Sequence, residues 1–336
     1  MRLKMSDIAR MANVSKSAVS LAINGKPGIS EETRNKIISI ITEQGYTPLR
    51  KTRRTPDNTI GEVTFLVVTT SGVVQDNYRS LPFFNSLISA LSATVSQMNS
   101  SLRTMTIQGN QLPKKLDEVA AASNSGVLVL GTDLTREQTL MIKRRLQKVV
   151  FLDTYFEDVV ADFVTMDNYQ GARLAGKYML DQGYRNIGYF ASDKPMSNFN
   201  ERRRGFREAL LEAGVIVANQ HFYLVPPTNV DPKGLNLNAL GDDMPEAIFC
   251  EDDYIAIRLI KAAQKAGLNI PRDLAVMGFD DIQEARLISP ELSTIHVEIE
   301  QIADQALHQL LKQQSNAAWY PQKTLIATTL VKRESL

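Results

Sequence analysis

Residues 5–24, MSDIARMANVSKSAVSLAIN, decide how this chain begins. Ser6 is a fitting N-cap for a short helix that carries Ile8, Ala9, Met11 and Ala12 on one side. Asn13-Val14 makes a turn, and Ser15 caps a second helix with Ala18, Val19, Ala22 and Ile23 as its apolar residues. Two short helices around a tight turn are either an ordinary helical hairpin or a helix-turn-helix, whose second helix enters the DNA major groove. The residues that follow favour the second.

The turn cluster Asn24–Gly28 ends the second helix. Ser30 caps a third, with Thr33 three residues on, a core face of Ile37, Ile38, Ile40 and Ile41, and a stop at Gly45. Residues 1–54 hold 11 Lys/Arg against 4 Asp/Glu, a formal +7, which leaves −6 for residues 55–336. A basic head on an acidic body is the asymmetry expected when only the head meets phosphate. DNA is therefore the expected partner of the head.

At 336 residues the chain suits a small DNA-binding domain plus one large bilobed domain. The single cysteine, Cys250, excludes a disulfide framework and fits a reducing cytoplasm. His221, His296 and His308 show no recurrent ligand spacing, so neither a metal site nor a cofactor is expected. No stretch approaches a membrane span, and the N-terminus lacks the apolar core of a signal peptide. These features disfavour a secreted binding protein and lead to the expectation of a cytoplasmic protein without a membrane partner.

From Val63 the pattern is strand, then helix, repeated. Apolar β-rich runs lie at Val63–Val68, Gly126–Leu130, Val149–Leu152, Ile187–Phe190, Ala247–Cys250 and Leu274–Phe279. Amphipathic segments separate them: Phe84–Met98, Arg136–Leu146, Gln170–Asp181, Arg202–Ala213 and Asp253–Ala266. Buried strands alternating with helices imply α/β lobes with parallel sheets. Crossings near Ala161–Val164 and Leu292–Val297 would make two lobes with a cleft between, where ligands of open α/β sheets bind. An enzyme on a nucleotide-binding fold is disfavoured, because GxGxxG after a strand, GxxxxGK[ST] and GxSxG are all missing.

Acids close several strands: Asp153, then Glu251-Asp252-Asp253, then Asp280-Asp281. Each has an alternative reading as the cap of a following helix, and Asp253 and Asp281 are the better candidates for that. Arg202 is expected to begin a helix whose Gly205-Phe206 packs behind it. Asp153, Asp252 and Asp280 with Arg202 offer acceptors and a planar donor fork, which suits sugar hydroxyls and repels a strongly anionic ligand.

The run MSDIARMANVSKSAVSLAINGKPGISEETRNKIISIITEQGYTP resembles the headpiece of the lactose-repressor/galactose-repressor family of bacterial transcription regulators. DIARMANVS, AVSLAIN, the SEETR helix start and the closing GYTP carry the likeness, which is looser over the remaining chain. It implies a three-helix headpiece at 1–47, a linker at 48–60 and a periplasmic-binding-protein-like core at 61–336. Lobe 1 is expected at about 61–161 and 293–324, and lobe 2 at about 162–292 and 325–336. The resemblance matches Arg202 in RRRGF to the family's effector-binding arginine and Asp280 in VMGFDD to its hydroxyl-accepting acid. It also gives Asp153 and Asp252 pocket positions, makes Phe84 (with Phe83) an apolar wall, and marks Asp167-Asn168 as a structural pair. For both phenylalanines, plain core packing is the competing reading.

On the DNA side the resemblance makes Lys16, Ser17 and Leu21 the base readers. Lys16 can donate to guanine O6 and N7, and Leu21 can only meet an apolar edge such as a thymine methyl. Ser15, Asn24, Lys26 and Thr33 are better placed for phosphate. The linker, Pro48-Leu49-Arg50-Lys51-Thr52-Arg53-Arg54-Thr55-Pro56, departs from the family's hinge helix, and Leu49 is its only apolar candidate. Arg53 and Arg54 either enter a narrow minor groove or belong to a basic tether. Further departures are Asn229 where relatives stack an aromatic on the sugar, a long TTSGVVQDNYRS loop, and Arg258 in place of a small residue.

The expected function is a repressor acting as a homodimer on a near-palindromic operator, since one headpiece contacts too few base pairs. A small ligand, a sugar or sugar derivative, would control it from the cleft. The alternative is a carbohydrate sensor that acts through a protein partner and keeps a weak headpiece.

Overall fold

The structure, a computed structural model, describes residues 5–23, 28–44, 61–123, 125–229, 231, 235 and 243–336. The chain divides into two compact units, Met1–Asp57 and Asn58–Leu336.

In the first unit, α1 (Met5–Ala12), α2 (Lys16–Ile23) and α3 (Glu31–Glu43) close over one apolar cluster. Ile8, Ala9, Ala12, Val19, Ala22 and Ile37 are its buried members. Ile37 is fully buried, while Ile38 is 43% exposed, so the third helix turns a narrower face inward than the run of isoleucines suggests. Ser6 lies within α1 rather than ahead of it. Asn13 takes φ 54°, a left-handed turn conformation that asparagine tolerates well. The turn closes through Val14 N–H to Ala9 O at 2.9 Å. Ser30 caps α3 as its sequence predicts, accepting from Thr33 N at 3.2 Å.

The second unit runs β1 (Glu62–Thr69), α4 (Pro82–Gln97), β2 (Ser101–Gln108), α5 (Leu112–Ala122), β3 (Val127–Leu130), α6 (Arg136–Arg145), β4 (Val149–Leu152) and β5 (Asp162–Met166). It continues with α7 (Asn168–Asp181), β6 (Ile187–Ser192), α8 (Ser197–Glu212), β7 (Phe222–Val225), β8 (Ala247–Cys250), α9 (Asp253–Lys265) and β9 (Ala275–Met277). The chain ends with β10 (Thr294–His296), α10 (Ile299–Ser315), β11 (Lys323–Ile326) and β12 (Thr329–Val331). Two parallel sheets result, of order β11-β5-β4-β3-β1-β2 and β7-β6-β8-β9, with a small antiparallel pair β10-β12 between the crossings. No helix among the described residues is long and apolar enough to cross a membrane.

The lobe boundaries differ from the sequence expectation. Residues 162–166 are no crossing: they form β5, buried throughout and paired with β4, Phe151 opposite Phe163. A fifth buried strand extends the first sheet before the chain leaves it, at Asp167, whose carboxylate caps α7 by accepting from Gln170 N at 2.9 Å. Thr294–His296 stays with the second lobe, where Ser293 and His296 bridge Met277 and Asp280. Lobe 1 therefore runs to Met166 rather than 161, resumes at Ile299 rather than 293, and ends at Ile326 rather than 324. The connection is triple, because β11 and β12 add a third passage between lobes. Helix α8 begins at Ser197, so Arg202 sits in its second turn instead of starting it.

The strand orders also say where a ligand belongs. In the first sheet the chain moves one way from β1 to β2 and the other way from β3 onward. In the second sheet the reversal falls between β6 and β8. Such switch points open a crevice at the carboxyl ends of the strands.

Candidate nucleic-acid interface and interlobe cavity

In the headpiece, Lys16 and Ser17 are exposed at the start of α2, and Leu21 one turn on is half-buried. Leu21 approaches Gly28, whose φ of 120° is a conformation side chains rarely adopt; a Cβ there would lie 3.3 Å from Leu21 Cδ1. Leu21 is thus partly committed to packing. Ser15 Oγ accepts from Ala18 N at 3.2 Å and caps α2. Thr33 Oγ1 lies 2.8 Å from Ser30 Oγ. Both hydroxyls expected at phosphate also hold helix starts. Asn24, Lys26, Leu49, Arg53 and Arg54 lie outside the described residues. One contact escaped the sequence reading: Arg34 on α3 donates to Leu21 O at 3.3 Å and Ala22 O at 3.4 Å, satisfying carbonyls at the end of α2.

In the core, both switch points feed one cavity between the lobes. Lobe 1 contributes Val73, Phe83, Phe84, Thr132 and Asp153. Lobe 2 contributes Met196, Asn198, Phe199 and Arg202 from the β6–α8 side, Asp252 and Tyr254 at the start of α9, then Thr228 and Asp280. All five core residues singled out from the sequence (Phe84, Asp153, Arg202, Asp252 and Asp280) meet here. Two of the acids reach inward from unusual backbone, φ 57° at Asp153 and 115° at Asp280. Non-glycine residues held this way cost about 1–3 kcal/mol each and cluster at ligand sites.

Arg202 is the cavity's organising side chain. Its Nε donates to Asn168 Oδ1 at 2.8 Å, Nη1 to Glu251 O at 2.5 Å and Nη2 to Asp280 Oδ1 at 2.9 Å. The guanidinium carbon lies 3.7 Å from the Phe279 ring centroid, so the charge is stacked as well as paired. Asn168, half of the structural pair, thereby becomes the group that orients the arginine. Behind this layer Arg203 pairs with the fully buried Glu251, at 2.5 Å from Nε to Oε1.

The assignment of caps is the reverse of that expected. Asp252, not Asp253, caps α9, accepting from Ile255 N through Oδ1 at 2.8 Å. Asp253 instead accepts from Thr294 Oγ1 at 2.6 Å and Ile282 N at 2.9 Å, tying α9 to the following loop and to β10. Gly278 is required for this: a Cβ there would sit 2.1 Å from Asp253 Oδ1. Asp281 caps nothing; it gathers Arg333, Arg286 at 3.1 Å and His296 at 2.9 Å. The two members of an acid pair point to opposite sides of the backbone, and only tertiary neighbours decide which side is the cavity. Asn229 stays outside the cavity wall, with its Oδ1 accepting from Asp231 N at 2.9 Å.

Among the described residues, three hydrogen-bonded contacts join the lobes across the cavity. Asn198 Nδ2 donates to Asp153 O at 3.0 Å and to its Oδ1 at 2.8 Å, Thr154 Oγ1 lies 3.1 Å from Ser197 Oγ, and Phe83 N donates to Tyr254 Oη at 3.1 Å. Thr132, Asn198 and Tyr254 were missed in the sequence. With α8 started at Ser197, Asn198 stands one turn before Arg202 on the same face, and that spacing was the available signal. The cavity holds about 40 Å³, against roughly 300–1,000 Å³ for ligand clefts. The cavity as it stands is too small for a ligand of several heavy atoms.

Burial dominates the electrostatics. It lifts Asp153 to about 7 against the hydrogen bonds from Thr132 and Asn198, and lifts Asp280 to about 6 against Arg202. Asp252 rises well above the ordinary range, first by burial and then by the neighbouring Asp280 charge. Among the described residues no group of three or more His, Cys, Asp and Glu is arranged to hold a metal ion.

Comparisons with known proteins agree with this geometry. Residues 4–48 match the family model "Bacterial regulatory proteins, lacI family", and residues 177–336 match "Periplasmic binding protein-like domain". The ribose operon repressor of Haemophilus influenzae is 30% identical over 336 residues, covering 99% of this chain and 98% of that protein. The HTH-type transcriptional repressor PurR of Mannheimia succiniciproducens is 27% identical over 92% of this chain and 91% of its own length. Among solved structures, a CelR–cellobiose complex superposes with TM-score 0.71 at 23% identity, covering 99% of this chain and all of that one. A lac repressor dimer bound to operator and the anti-inducer ONPF superposes with TM-score 0.70 at 19% identity, covering 100% of this chain and 99% of that one. With a helix-turn-helix headpiece, a two-lobed binding core and a relative alike along its whole length, the chain belongs to the lacI family of bacterial regulatory proteins and is a DNA-binding transcription regulator.

Proposed function

We propose that the protein represses transcription in the cytoplasm as a homodimer on a near-palindromic operator, and that a sugar or sugar derivative in the interlobe cavity sets its operator affinity. The observation that carries the effector half is the arrangement around Arg202. A buried donor fork and three strand-end acids converge from both lobes, and hydroxyl groups both donate and accept in the pattern this wall requires. Phe83 and Phe84 supply the apolar side of the wall. The ribose operon repressor and the cellobiose-bound regulator among the similar proteins support a saccharide.

On DNA, Lys16 and Ser17 read base edges in the major groove. Leu21 adds an apolar contact at most, while Ser15, Asn24, Lys26 and Thr33 touch phosphate and fix register. Leu49, Arg53 and Arg54 lie on a basic tether whose charges hold close to phosphate; a large loss of operator bending in Leu49→Ala would instead put them in the minor groove at the operator centre. The effector biases the lobes between open and closed, and by linkage a ligand that weakens operator binding is bound more weakly by the operator complex.

Selection of genomic fragments by the purified protein, followed by footprinting, tests this reading. A protected near-palindrome whose affinity falls steeply with salt and responds to a sugar supports it. Absence of any protected site, with and without a panel of sugars, overturns it.

A further inference from the structure

We propose that the effector carries a protonated amino group beside its hydroxyls, seated between Asp252 and Asp280. This rests on the saccharide reading of the interlobe cavity and narrows it. Among the described residues the wall of the cavity holds three carboxyl groups, Asp153, Asp252 and Asp280, and one cation, Arg202. Arg202 is already matched: its Nη2 lies 2.9 Å from Asp280 Oδ1, and its other two nitrogens serve Asn168 and a backbone carbonyl. Its single charge leaves the wall two negative charges in excess when all three acids are ionised.

The acids differ in what remains open to a ligand. Both oxygens of Asp153 accept donors, Thr132 Oγ1 at 2.5 Å and Asn198 Nδ2 at 2.8 Å. Asp252 uses only Oδ1, for Ile255 N, and Asp280 only Oδ1, for Arg202. Each therefore keeps one oxygen for a further donor, although both residues are more than nine-tenths buried. The two carboxyls are also near enough for the Asp280 charge to oppose ionisation of Asp252. Two acids in one dry site ionise together only when a cation lies between them. An ammonium group supplies that charge and three donors; a neutral hydroxyl supplies one donor and no charge. The wall also carries four aromatic side chains, Phe83, Phe84, Phe199 and Tyr254, a ring type whose faces favour a desolvated cation. A phosphate or carboxylate brings no positive charge to let the pair ionise, so an anionic sugar gains nothing from the two open oxygens.

Isothermal titration of the full-length protein with matched pairs tests the proposal: D-glucosamine against D-glucose, D-galactosamine against D-galactose, and 3-amino-3-deoxy-D-ribose against D-ribose. In at least one pair the amine binds tenfold or more tightly, and Asp252→Asn weakens the amine by a clearly larger factor than its neutral partner, bringing the pair close to parity. The asparagine amide oxygen can still cap α9, and a thermal melt of the variant verifies the fold. A neutral member that equals or exceeds its amine in every pair overturns the proposal and leaves the saccharide reading standing. Equal loss of both members in a well-folded Asp252→Asn variant overturns it too, since Asp252 then acts on hydroxyls alone. No heat from any of the six compounds overturns the proposal and the saccharide reading together.

Discussion

Replacing Asp153 by asparagine should stabilise the core at pH 8, although it alters a side chain that joins the lobes. Burial moves this carboxyl from the ordinary aspartate value of 3.8 to about 7. At 1.36 kcal/mol per pKa unit the ionised form costs about 4 kcal/mol in the folded state. The sign follows from linkage: the folded protein holds this proton more tightly than the unfolded chain. Stability from this group is therefore complete below about 4 and is lost as pH rises toward 7. Asparagine carries no charge and avoids that cost, but it offers one acceptor where Asp153 offers two. Its carbonyl can keep the bond from Asn198, and its amino group must then face Thr132, whose hydroxyl turns to accept. Allowing about 1–2 kcal/mol for that rearrangement, the net gain at pH 8 is about 2 kcal/mol, or roughly 4–8 °C in the midpoint of a domain this large. Thermal and urea unfolding of both proteins between pH 5 and 8 measures it. The parent should weaken as pH rises, and the variant should lose part of that slope, because Asp280 and Asp252 still titrate. A variant less stable than the parent at pH 8, with an unchanged pH slope, would refute the claim that desolvation of Asp153 outweighs its hydrogen bonds.

Other expectations follow from single contacts. Arg202→Ala strips Asp280, Asn168 and the Glu251 carbonyl of their partner at once and should cost about 3–5 kcal/mol in urea unfolding; the surviving folded protein should bind operator without responding to effector. Gly278→Ala drives a methyl group into the Asp253 carboxylate and should lower stability by more than about 2 kcal/mol, whereas Gly183→Ala meets nothing within 4 Å and should lose only the strain of its positive φ. Ser15→Ala removes the cap of α2, with a loss of about 1 kcal/mol expected in headpiece melting. Lys16→Ala should reduce discrimination at one operator base pair by about 1–3 kcal/mol, read as a flattened preference in competition binding with operator variants.

The sequence by itself determined whatever is encoded over a few residues. The Ser15 and Ser30 caps, the Asn13 turn and the spacing of Ile8, Ala12, Val19 and Ile37 made the headpiece legible, because capping and helical periodicity act within one or two turns. The alternation of buried strands with amphipathic helices gave the two-lobed α/β core, and acids at strand ends pointed to the cleft. Legibility stopped where partners lie far apart along the chain. The polar, half-exposed β2 carries too weak a pattern to stand out, whereas α5 (Leu112, Leu116, Val119) and α10 (Ile302, Ala303, Ala306, Leu307, Leu310) show helical apolar spacing that was available in the sequence and was missed. Nothing local distinguishes β5 from a crossing; its pairing with β4 and β11 does. Asp252 and Asp253 are adjacent and alike in sequence, and only Ile255 N on one side and Thr294 with Ile282 N on the other separate a cavity wall from a structural tie. Arg202 could be picked out from RRRGF, but its match with Asp280, 78 positions away, is a product of folding. So is the burial that lifts Asp153 to about 7, since desolvation depends on what the whole chain packs around a group.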